Sequence, residues 1–522
     1  MKLFKILTVA CLLAVTISSC KKDLNLAPTN DITSDVAYAT PAGYKQVLAK
    51  IYASFALTSG KASDKSDLGG IDAGTSDFIR LYWNAQELPT DEGLCVWNDP
   101  GVYELNYLTY SSENVLLRGL YTRSLYQITI ANEFLRESTP EKLASRNITG
   151  ADATNIAAYR AEARFLRAYQ YWVLMDLFGN PPILTEANEI GIVSPQQIKR
   201  ADLFKYVESE LLAVEPDLLV SPEYGRASRG AADILLSRLY LNAAVYTGTA
   251  KNTEAITYAS KVIAGNYALQ SAYRNLFLAD NDQNNPETIL SINYDGLYTQ
   301  NYGGTTFIIN ASINGDMNPA SFGVPNGGWG GIHASSTLPA MFGTTTTADK
   351  RYMFTGDKAA NDVIDVFTDG LRVTKFRNVT RAGVPAASTN GTYSSVDFPL
   401  FRLPEAYLNY AEAVLRGGSG GSISEAISYV NRLRRRAYGD DSGNVSSLTL
   451  DNILTERAKE FYWEGYRRTD LIRFGKFTDG SYLWPFKGGI KAGRAVDATR
   501  SIYPLPSSDI IANTNLTQNP GY

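Results

Sequence analysis

Two stretches of this 522-residue sequence place a tryptophan in a turn among many polar side chains. Trp97 stands between Val96 and an Asn-Asp-Pro turn, and Trp329 stands between two pairs of glycines. Sugars present apolar C–H faces edged by hydroxyls, so flat aromatic rings with polar side chains beside them can bind carbohydrate. The residue types therefore indicate noncovalent sugar binding, although each tryptophan could instead anchor the core of its own loop.

The two tryptophans lie in long stretches without a helical pattern, residues 61–113 and roughly 280–400. Long loops in compact proteins are usually functional. The second stretch is rich in Gly, Asn and Thr and carries Tyr294, Tyr298 and Tyr302. We expect both stretches to form the binding surface. The remaining tryptophans are interpreted as structural anchors: Trp83, Trp172, Trp463 and Trp484.

The sequence gives little indication of catalysis. His333 is the one histidine, so a Ser-His-Asp triad would have to use it, and a metal site with several histidines is excluded. Residues 417–421, GGSGG, match the letters of a nucleophile elbow, but they lie between two predicted helices and not after a strand, so we expect a flexible turn. A glycosidase needs only two suitably spaced carboxylates, which leaves glycoside hydrolysis as a remote alternative.

One acidic stretch has oxygen-bearing side chains at alternate positions, as calcium loops do. It is DNDQN at 280–284, but Asn285 stands where an EF-hand has glycine and Ser291 where it has glutamate. A solvated turn is the alternative to a metal site. No cofactor is expected to be required, and the ligands of a possible structural Ca²⁺ would be Asp280, Asp282 and Asp440.

The N-terminus has the features of an export signal. Two lysines precede an apolar run at residues 6–17, which is too short to span a bilayer. The sequence Ile-Ser-Ser-Cys at 17–20 resembles a bacterial lipobox, so we predict a signal peptide at 1–19 and a lipidated Cys20. An ordinary secretory signal is the alternative. Residues 20–39 are predicted to be the lipidated cysteine and a flexible tether, with lipid as the only membrane anchor.

Composition excludes several classes of protein. Without Lys2 and Lys5 the chain has 47 basic and 53 acidic residues, and it has no basic stripe, so nucleic-acid binding is not expected. The triplet Arg434–Arg436 is interpreted as a solvated helix face. Cys95 is the only other cysteine after processing, which excludes a disulfide framework and a cysteine-based zinc site.

Helical periodicity dominates the rest of the chain. The strongest case is 155–178, where large apolar residues recur at helical spacing and GNPP ends the pattern. YRAEA at 159–163 is echoed by YAEA at 410–413, and paired helices of this length approximate a tetratricopeptide (TPR) repeat. Further helices are predicted between 40 and 60 and at 114–137, 202–214, 231–246, 253–264, 405–416, 423–437 and 452–474.

The predicted fold class is mostly α: a TPR-like scaffold of helix pairs with an inserted, irregular, loop-rich binding region. The scaffold is assigned to 40–279, which includes glycan-binding loops at 61–113, and is completed by 401–522. The irregular insertion is assigned to 280–400.

Several blocks resemble the SusD/RagB family of outer-membrane nutrient-binding lipoproteins of Bacteroidetes. They are AEARFLRAYQYWVLMDLFGNPPI at 161–183, RGAADILLSRLYLNAA at 229–244, FRLPEAYLNYAEA at 401–413, NRLRRRAYG at 431–439, ERAKEFYWEGYRRTDLIRFGKF at 456–477 and LPSSDIIANTNLTQNPGY at 505–522. The resemblance implies a cell-surface lipoprotein that captures glycan without hydrolysing it. It also implies a partner, a SusC-like TonB-dependent transporter.

The stretch 71–97 looks most like the family's starch-binding founding member. That resemblance implies that Asp72, Arg80 and Trp97 line a glucan site and that Trp329 is its second tryptophan. Tyr302 is the best match for a tyrosine of the same aromatic arc, with Tyr298 or Tyr294 as alternatives. Asn98 is a further candidate, although the sequence departs from the family pattern around it.

An arc of aromatic rings would select curved α-glucans over flat β-glucans by shape. The expected ligand is therefore starch or a maltooligosaccharide. Another glycan or a peptide nutrient on the same scaffold is the alternative.

Overall fold

The computed structural model describes residues 33–522 except 61, 189–190, 192–193, 315–316 and 344–347. The predicted signal peptide and Cys20 lie outside the described residues. No helix in the described ranges is both long and apolar enough to cross a membrane.

Helices are the predominant regular element of the molecule. The scaffold helices are α1 Ser34–Ala37, α2 Pro41–Ala56, α5 Val115–Glu137, α6 Pro140–Ser145, α7 Gly150–Phe178, α8 Arg200–Val214, α9 Arg229–Leu241, α10 Ala243–Thr247, α11 Asn252–Ile263, α14 Leu403–Leu415, α15 Ile423–Tyr438, α16 Leu450–Phe461, α17 Arg467–Arg473 and α18 Ser507–Ala512. The elements that support the site are α3 Phe78–Glu87, α4 Val102–Tyr107, α12 Gly304–Ser312 and α13 Thr337–Ala340.

The scaffold helices pack in sequence, as a TPR-like fold requires. Helix α7 packs on α2, α5 and α8, and the stack continues from α8 through α9, α11 and α14 to α15. Phe165, Tyr169 and Trp172 on α7 are fully buried, with Ala161 and Ala168 letting neighbours approach. The mostly α fold class is confirmed, with α7 at the centre of the core.

Strands are short and antiparallel. They are β1 Gly93–Cys95, β2 Pro182–Ile183, β3 Gln196–Gln197, β4 Thr288–Ile292, β5 Ile332–Ala334, β6 Phe354–Thr355, β7 Arg372–Val373 and β8 Phe398–Arg402. They pair as β1–β5, β2–β3, β4–β8 and β6–β7.

Two predictions of local structure need correction. The stretch 61–113 is not irregular throughout, because α3 and α4 lie within it. The predicted helix 452–474 is two helices, since Trp463 and Gly465 between them have positive φ angles of 67° and 81°. A right-handed helix cannot continue through such residues. The break occurs where the chain contacts α3: Trp463 packs edge-on against Trp83 at 5.2 Å, and Gly465 N–H donates to Glu87 Oε1 at 2.6 Å.

The folded part of the chain begins before the predicted end of the tether. Helix α1 spans Ser34–Ala37, and the ring of Tyr38 is buried against Tyr44 and Phe134. Residues 34–39 therefore belong to the scaffold and not to the tether.

The sequence was interpreted as placing Arg434–Arg436 on a solvated helix face. In α15 this face is not uniformly solvated. Arg436 is buried and donates to Glu287 Oε2 at 2.7 Å, and Arg434 donates to Glu456 Oε2 at 2.7 Å. Arg435 alone is exposed, paired with Asp441. The run of positive charge is largely neutralised inside the fold.

A buried ionic network joins the C-terminal helices to the inserted region. Glu460 and Glu464, four positions apart in sequence, both accept hydrogen bonds from Arg402 at the end of β8. Glu464 also accepts from Lys375 Nζ at 2.6 Å, and Glu460 from Arg436 at 2.5 Å. These side chains are fully or almost fully buried, so the network holds the scaffold and insertion in one arrangement.

Candidate functional site

The β1–β5 ladder brings the two loop tryptophans to one surface. Cys95 pairs with Ile332, and Val96 N–H continues the ladder by donating to Gly331 O at 2.8 Å. Trp97 follows this pairing on one strand, and Trp329 precedes it on the other. Both indoles are half-buried, so each keeps part of its surface open.

Arg80 connects Trp97 to the rest of the site. Its guanidinium lies over the ring of Phe307 at 4.5 Å and beside that of Trp97 at 5.9 Å. Its Nη1 donates to Tyr302 O at 3.5 Å, a long hydrogen bond. Desolvation of the guanidinium lowers the pKa of Arg80, and Asp72 opposes that shift. The side chain is thus a fixed cation between the two halves of the site.

Tyr302 and Trp329 form the second half. Their ring centroids are 6.3 Å apart, and Tyr302 also contacts the buried Tyr393 at 5.3 Å. The tyrosine ring is 37% exposed, and the Tyr393 hydroxyl donates to Ser63 Oγ at 2.9 Å. Trp97, Arg80, Tyr302 and Trp329 therefore lie in one continuous, partly open cluster.

The carboxylate of Asp77 fixes both halves from below. Its Oδ1 accepts the N–H groups of Arg80 and Gly304, each at 2.8 Å, and it caps α3. Its Oδ2 lies 3.4 Å from Asn301 Nδ2 and 3.5 Å from the Tyr294 hydroxyl. Burial raises the pKa of Asp77 to about 6 against the effect of these donors. One buried side chain thus orients Arg80 and the turn that carries Tyr302.

The tyrosine alternatives separate clearly. Tyr294 is buried with its hydroxyl on Asp77, so its ring cannot act as a platform. Tyr298 is 81% exposed and has no ring contact among those of the described residues. Tyr302 is the tyrosine that the fold places beside Trp329.

Polar candidates border the same surface. Asp72 is exposed, and its Oδ2 accepts from the N–H and hydroxyl of Thr75 at 3.0 and 3.1 Å. Asn98 is exposed in the turn after Trp97. A cavity of about 200 Å³ beside Trp97 is lined by Asp72, Arg80, Asp99 and Phe307, among others. The arrangement offers apolar ring surface with carboxylate, amide and guanidinium groups at its edge.

Four tryptophans are structural, as the sequence predicts. Trp83, Trp172, Trp463 and Trp484 are all buried. Trp83 also touches Phe307, which in turn touches Trp97, so a buried aromatic core supports the half-buried indole of Trp97.

Two larger clefts lie away from this cluster, on either side of the Glu223–Arg226 segment, with volumes of about 480 and 350 Å³. No tryptophan and none of the predicted site residues lines either of them. The aromatic cluster, which carries both half-buried loop tryptophans, is therefore the better candidate site for a polysaccharide.

The three predicted calcium ligands do not form a cluster. Among the described residues, no group of three or more His, Cys, Asp or Glu side chains is placed to hold a metal ion. Both carboxylate oxygens of Asp280 instead accept from Arg381 N–H, and Asp440 caps a short turn through Ser442 N–H. Asp282 lies in the same segment as Asp280 and adds no third ligand. The geometry therefore favours the alternative of an acidic turn.

Three residues of the site were not predicted from the sequence: Asp77, Phe307 and Tyr393. The segment DFIRLYW contains a recognisable cap, Asp77, before an apolar run, and that signal could have revealed α3. Phe307 lies in α12 and Tyr393 in the loop before β8, and nothing in their local sequence marks them as site residues.

The sequence profile of the SusD family matches residues 238–522. The starch-binding protein SusD of Bacteroides thetaiotaomicron is 35% identical, in an alignment covering 100% of this chain and 99% of that protein. A SusD-like protein of Bacteroides ovatus is 25% identical, covering 81% of this chain and 84% of its own.

Solved structures show the same fold. A SusD superfamily protein of Bacteroides thetaiotaomicron superposes with a TM-score of 0.70 at 21% identity, covering 92% of this chain and 100% of its own. Surface glycan-binding protein A of Bacteroides fluxus gives a TM-score of 0.67 at 22% identity, with the same coverage.

Proposed function

The chain belongs to the SusD family, and from this premise we propose that it captures starch or maltooligosaccharides at the cell surface. The proposal is supported above all by the cluster of Trp97, Arg80, Tyr302 and Trp329. These residues come from segments more than 200 positions apart, yet they lie on one partly open surface. The relative with 35% identity over the full length is a starch-binding protein, which favours α-glucan as the ligand.

The site can bind glucan through two kinds of contact. Half-exposed indole and phenol rings cover the C–H faces of sugar rings, and Arg80, Asp72 and Asn98 supply hydrogen bonds at the edge. The rings are not coplanar: Tyr302 and Trp329 are tilted by 44°. Tilted platforms fit a curved chain better than a flat one.

The protein is not an enzyme, because its family binds carbohydrate and does not hydrolyse it. An open surface site that must release its ligand is expected to bind with a Kd of micromolar to millimolar, about −8 to −4 kcal/mol. Several sites along one polymer would raise the apparent affinity.

We further propose that lipid on Cys20 holds the protein at the outer membrane and that it delivers glycan to a SusC-like TonB-dependent transporter. The membership of the family and the lipobox-like sequence at 17–20 support this assignment. Globomycin, which blocks lipoprotein processing, should cause the unprocessed form to accumulate. Cys20→Ala should abolish incorporation of labelled fatty acid into the protein and its recovery from the outer membrane.

Calorimetry tests the ligand. Maltoheptaose and a cyclodextrin should bind, whereas a β-glucan and a fructan should not, and Trp97→Ala and Trp329→Ala should each abolish measurable binding. Binding of another glycan instead would retain the glycan-capture function and reject starch. Binding of peptides alone would reject both.

A further inference from the structure

A loop at residues 361–369, which we name the apolar loop, is held firmly yet exposes apolar side chains. Asn361 Oδ1 accepts from Ser336 N–H at 2.7 Å. At the other end, the Asp369 carboxylate accepts the N–H groups of Asp362 and Val363 at 2.9 and 3.0 Å. Ile364 is buried with Leu94 and Phe486. The loop backbone is therefore fixed by the fold.

Three side chains of this loop nevertheless face solvent: Val363, Val366 and Phe367. Phe367 is 46% exposed, although its carbonyl accepts from Asn314 Nδ2 at 2.8 Å and from Arg372. Isolated exposed apolar residues are common, but three within five residues of an anchored loop mark a contact surface.

The ring of Phe367 lies beside the glycine strip that carries Trp329. A Cβ atom on Gly330 would lie 3.4 Å from Phe367 Cδ1, and one on Gly331 would lie 2.1 Å from Trp97 Nε1. Trp329 directly precedes these glycines, and Gly330 N–H donates to Ile313 O at 2.9 Å. Phe367 and Trp97 thus contact consecutive residues of one strip.

We propose that Phe367 is a further aromatic contact of the glycan site, extending it beyond the two tryptophans across Gly330. This extension rests on the proposed glycan-binding function. An exposed phenyl ring offers the C–H face of a sugar the same apolar surface as the indoles but no hydrogen bond. Phe367 therefore adds affinity only for chains long enough to pass the glycine strip, and it sets a preference for longer α-glucans.

The test compares short and long ligands on the purified full-length protein, in a detergent without a sugar headgroup. Phe367→Ala should weaken maltoheptaose binding roughly tenfold, because the ligand no longer buries the apolar surface of one aromatic ring. It should leave maltotriose binding within about twofold of wild type. Phe367→Trp should retain the affinity for both ligands. Leu219→Ala, which removes a similarly exposed apolar side chain from the helical scaffold, should change neither.

Three results would overturn the extension. The first is equal maltoheptaose binding by wild type and Phe367→Ala while Trp97→Ala still abolishes it; the proposed function then survives and the extension does not. The second is an equal loss of maltotriose and maltoheptaose binding, which would place Phe367 within the core site or in the fold. The third is a wild type that binds no α-glucan, which removes the extension together with the starch proposal. Melting temperatures within about 1 °C of wild type, expected for a surface change, would show that the variants are folded.

Discussion

Asp77 shows how a single buried carboxylate can set the geometry of an exposed site. It accepts the N–H of Arg80, in the first turn of α3, and the N–H of Gly304, and so holds Arg80 and Tyr302 at a fixed separation. Loss of Asp77 would therefore disturb the site even though its carboxylate contacts neither the aromatic rings of Tyr302 and Trp329 nor the guanidinium of Arg80. The residue is therefore a positioning residue and not a ligand contact.

We expect Asp77→Ala to lower stability by about 2 to 4 kcal/mol, because it removes a helix cap and leaves two buried N–H groups unpaired. It should also weaken glucan binding. Asp77→Asn retains the accepting oxygen and should recover most of both losses. Denaturant unfolding and calorimetry of the two variants check this; equal behaviour of the alanine and asparagine variants would show that the carboxamide oxygen does not substitute.

Tyr302 and Tyr298 make a matched pair for testing the aromatic arc. Tyr302→Ala removes the ring that contacts Trp329 and also uncovers Tyr393. Because one aromatic platform for the sugar is lost, maltoheptaose binding should weaken by about 1 to 2 kcal/mol. Tyr298→Ala removes a ring that is 81% exposed and should have little effect. Calorimetry of both variants shows which tyrosine belongs to the aromatic arc. If Tyr298→Ala weakens binding and Tyr302→Ala does not, Tyr298 is the residue of the arc.

At the scale of elements, the β1–β5 ladder is what joins the two tryptophan segments. The ladder has only three residue pairs, and its extension by Val96 depends on Gly331, whose φ is +115°. Only glycine adopts that angle without strain. A short strand pair therefore determines the position of Trp97 relative to Trp329.

Gly331→Ala should displace the Trp97 indole, because the new Cβ would lie 2.1 Å from Nε1. We expect a large loss of glucan affinity, comparable with that of Trp97→Ala. Gly327→Ala is the control, since Gly327 also has a positive φ of 92° but no atom within 4 Å of an added Cβ. If both glycine variants lose affinity equally, backbone strain and not displacement of the indole is responsible.

At the scale of the molecule, the buried ionic network joins the C-terminal helices to the region that carries the site. Glu460 contacts Arg402, Arg436 and Arg351, and the cations around it hold its pKa well below the usual range. Because the folded pKa is lowered, this stabilisation is present above the unfolded pKa of about 4.3 and is lost as pH falls through the acid range.

Replacing Glu460 should strongly lower the free energy of unfolding. Glu460→Gln leaves three buried guanidinium groups with less compensation, and it should cost about 3 to 5 kcal/mol. Glu254→Gln, at an exposed pair with Lys251, should cost less than about 1 kcal/mol. Urea midpoints at pH 7 measure both, and a small effect at Glu460 would mean that water or another acid replaces it.

His333, buried in β5, makes stability depend on pH. Burial lowers its pKa to about 3, whereas the unfolded value is about 6.5. The unfolded chain therefore binds the proton first, and stability falls as pH decreases below 6.5. Between pH 7 and 5.5 the loss from this group should be about 1 kcal/mol.

The comparison with His333→Gln isolates that effect. Burial raises the pKa values of Glu87 and Asp397 to about 7, so those carboxyls oppose His333 over the same range. The difference in unfolding free energy between wild type and variant should decrease by about 1 kcal/mol from pH 7 to 5.5. A difference that does not change with pH would show that the pKa of His333 is the same in the folded and unfolded states.

Much of this architecture was determined locally. Apolar spacing in residues 155–178 and the Gly-Asn-Pro-Pro stop defined the central helix, because helix formation depends on side chains three or four positions apart. The same reasoning found the paired helices of the scaffold and distinguished Trp97 and Trp329, in turns, from the four buried tryptophans. A glycine or proline neighbour is a local feature, and it predicts exposure without knowledge of the fold.

Tertiary contacts decided the rest. The break at Trp463 arises from its packing on Trp83, and the charge of Arg436 is buried because Glu287 and Glu460 face it. Whether Tyr294, Tyr298 or Tyr302 joins Trp329 depends on where Asp77 holds the turn, and Asp77 lies more than 200 residues away in sequence. The Asp280 carboxylate is likewise held from a distance, because it accepts the N–H of Arg381, 101 positions away in sequence. Local sequence specifies which side chains can bind a sugar, but only long-range packing determines which of them meet.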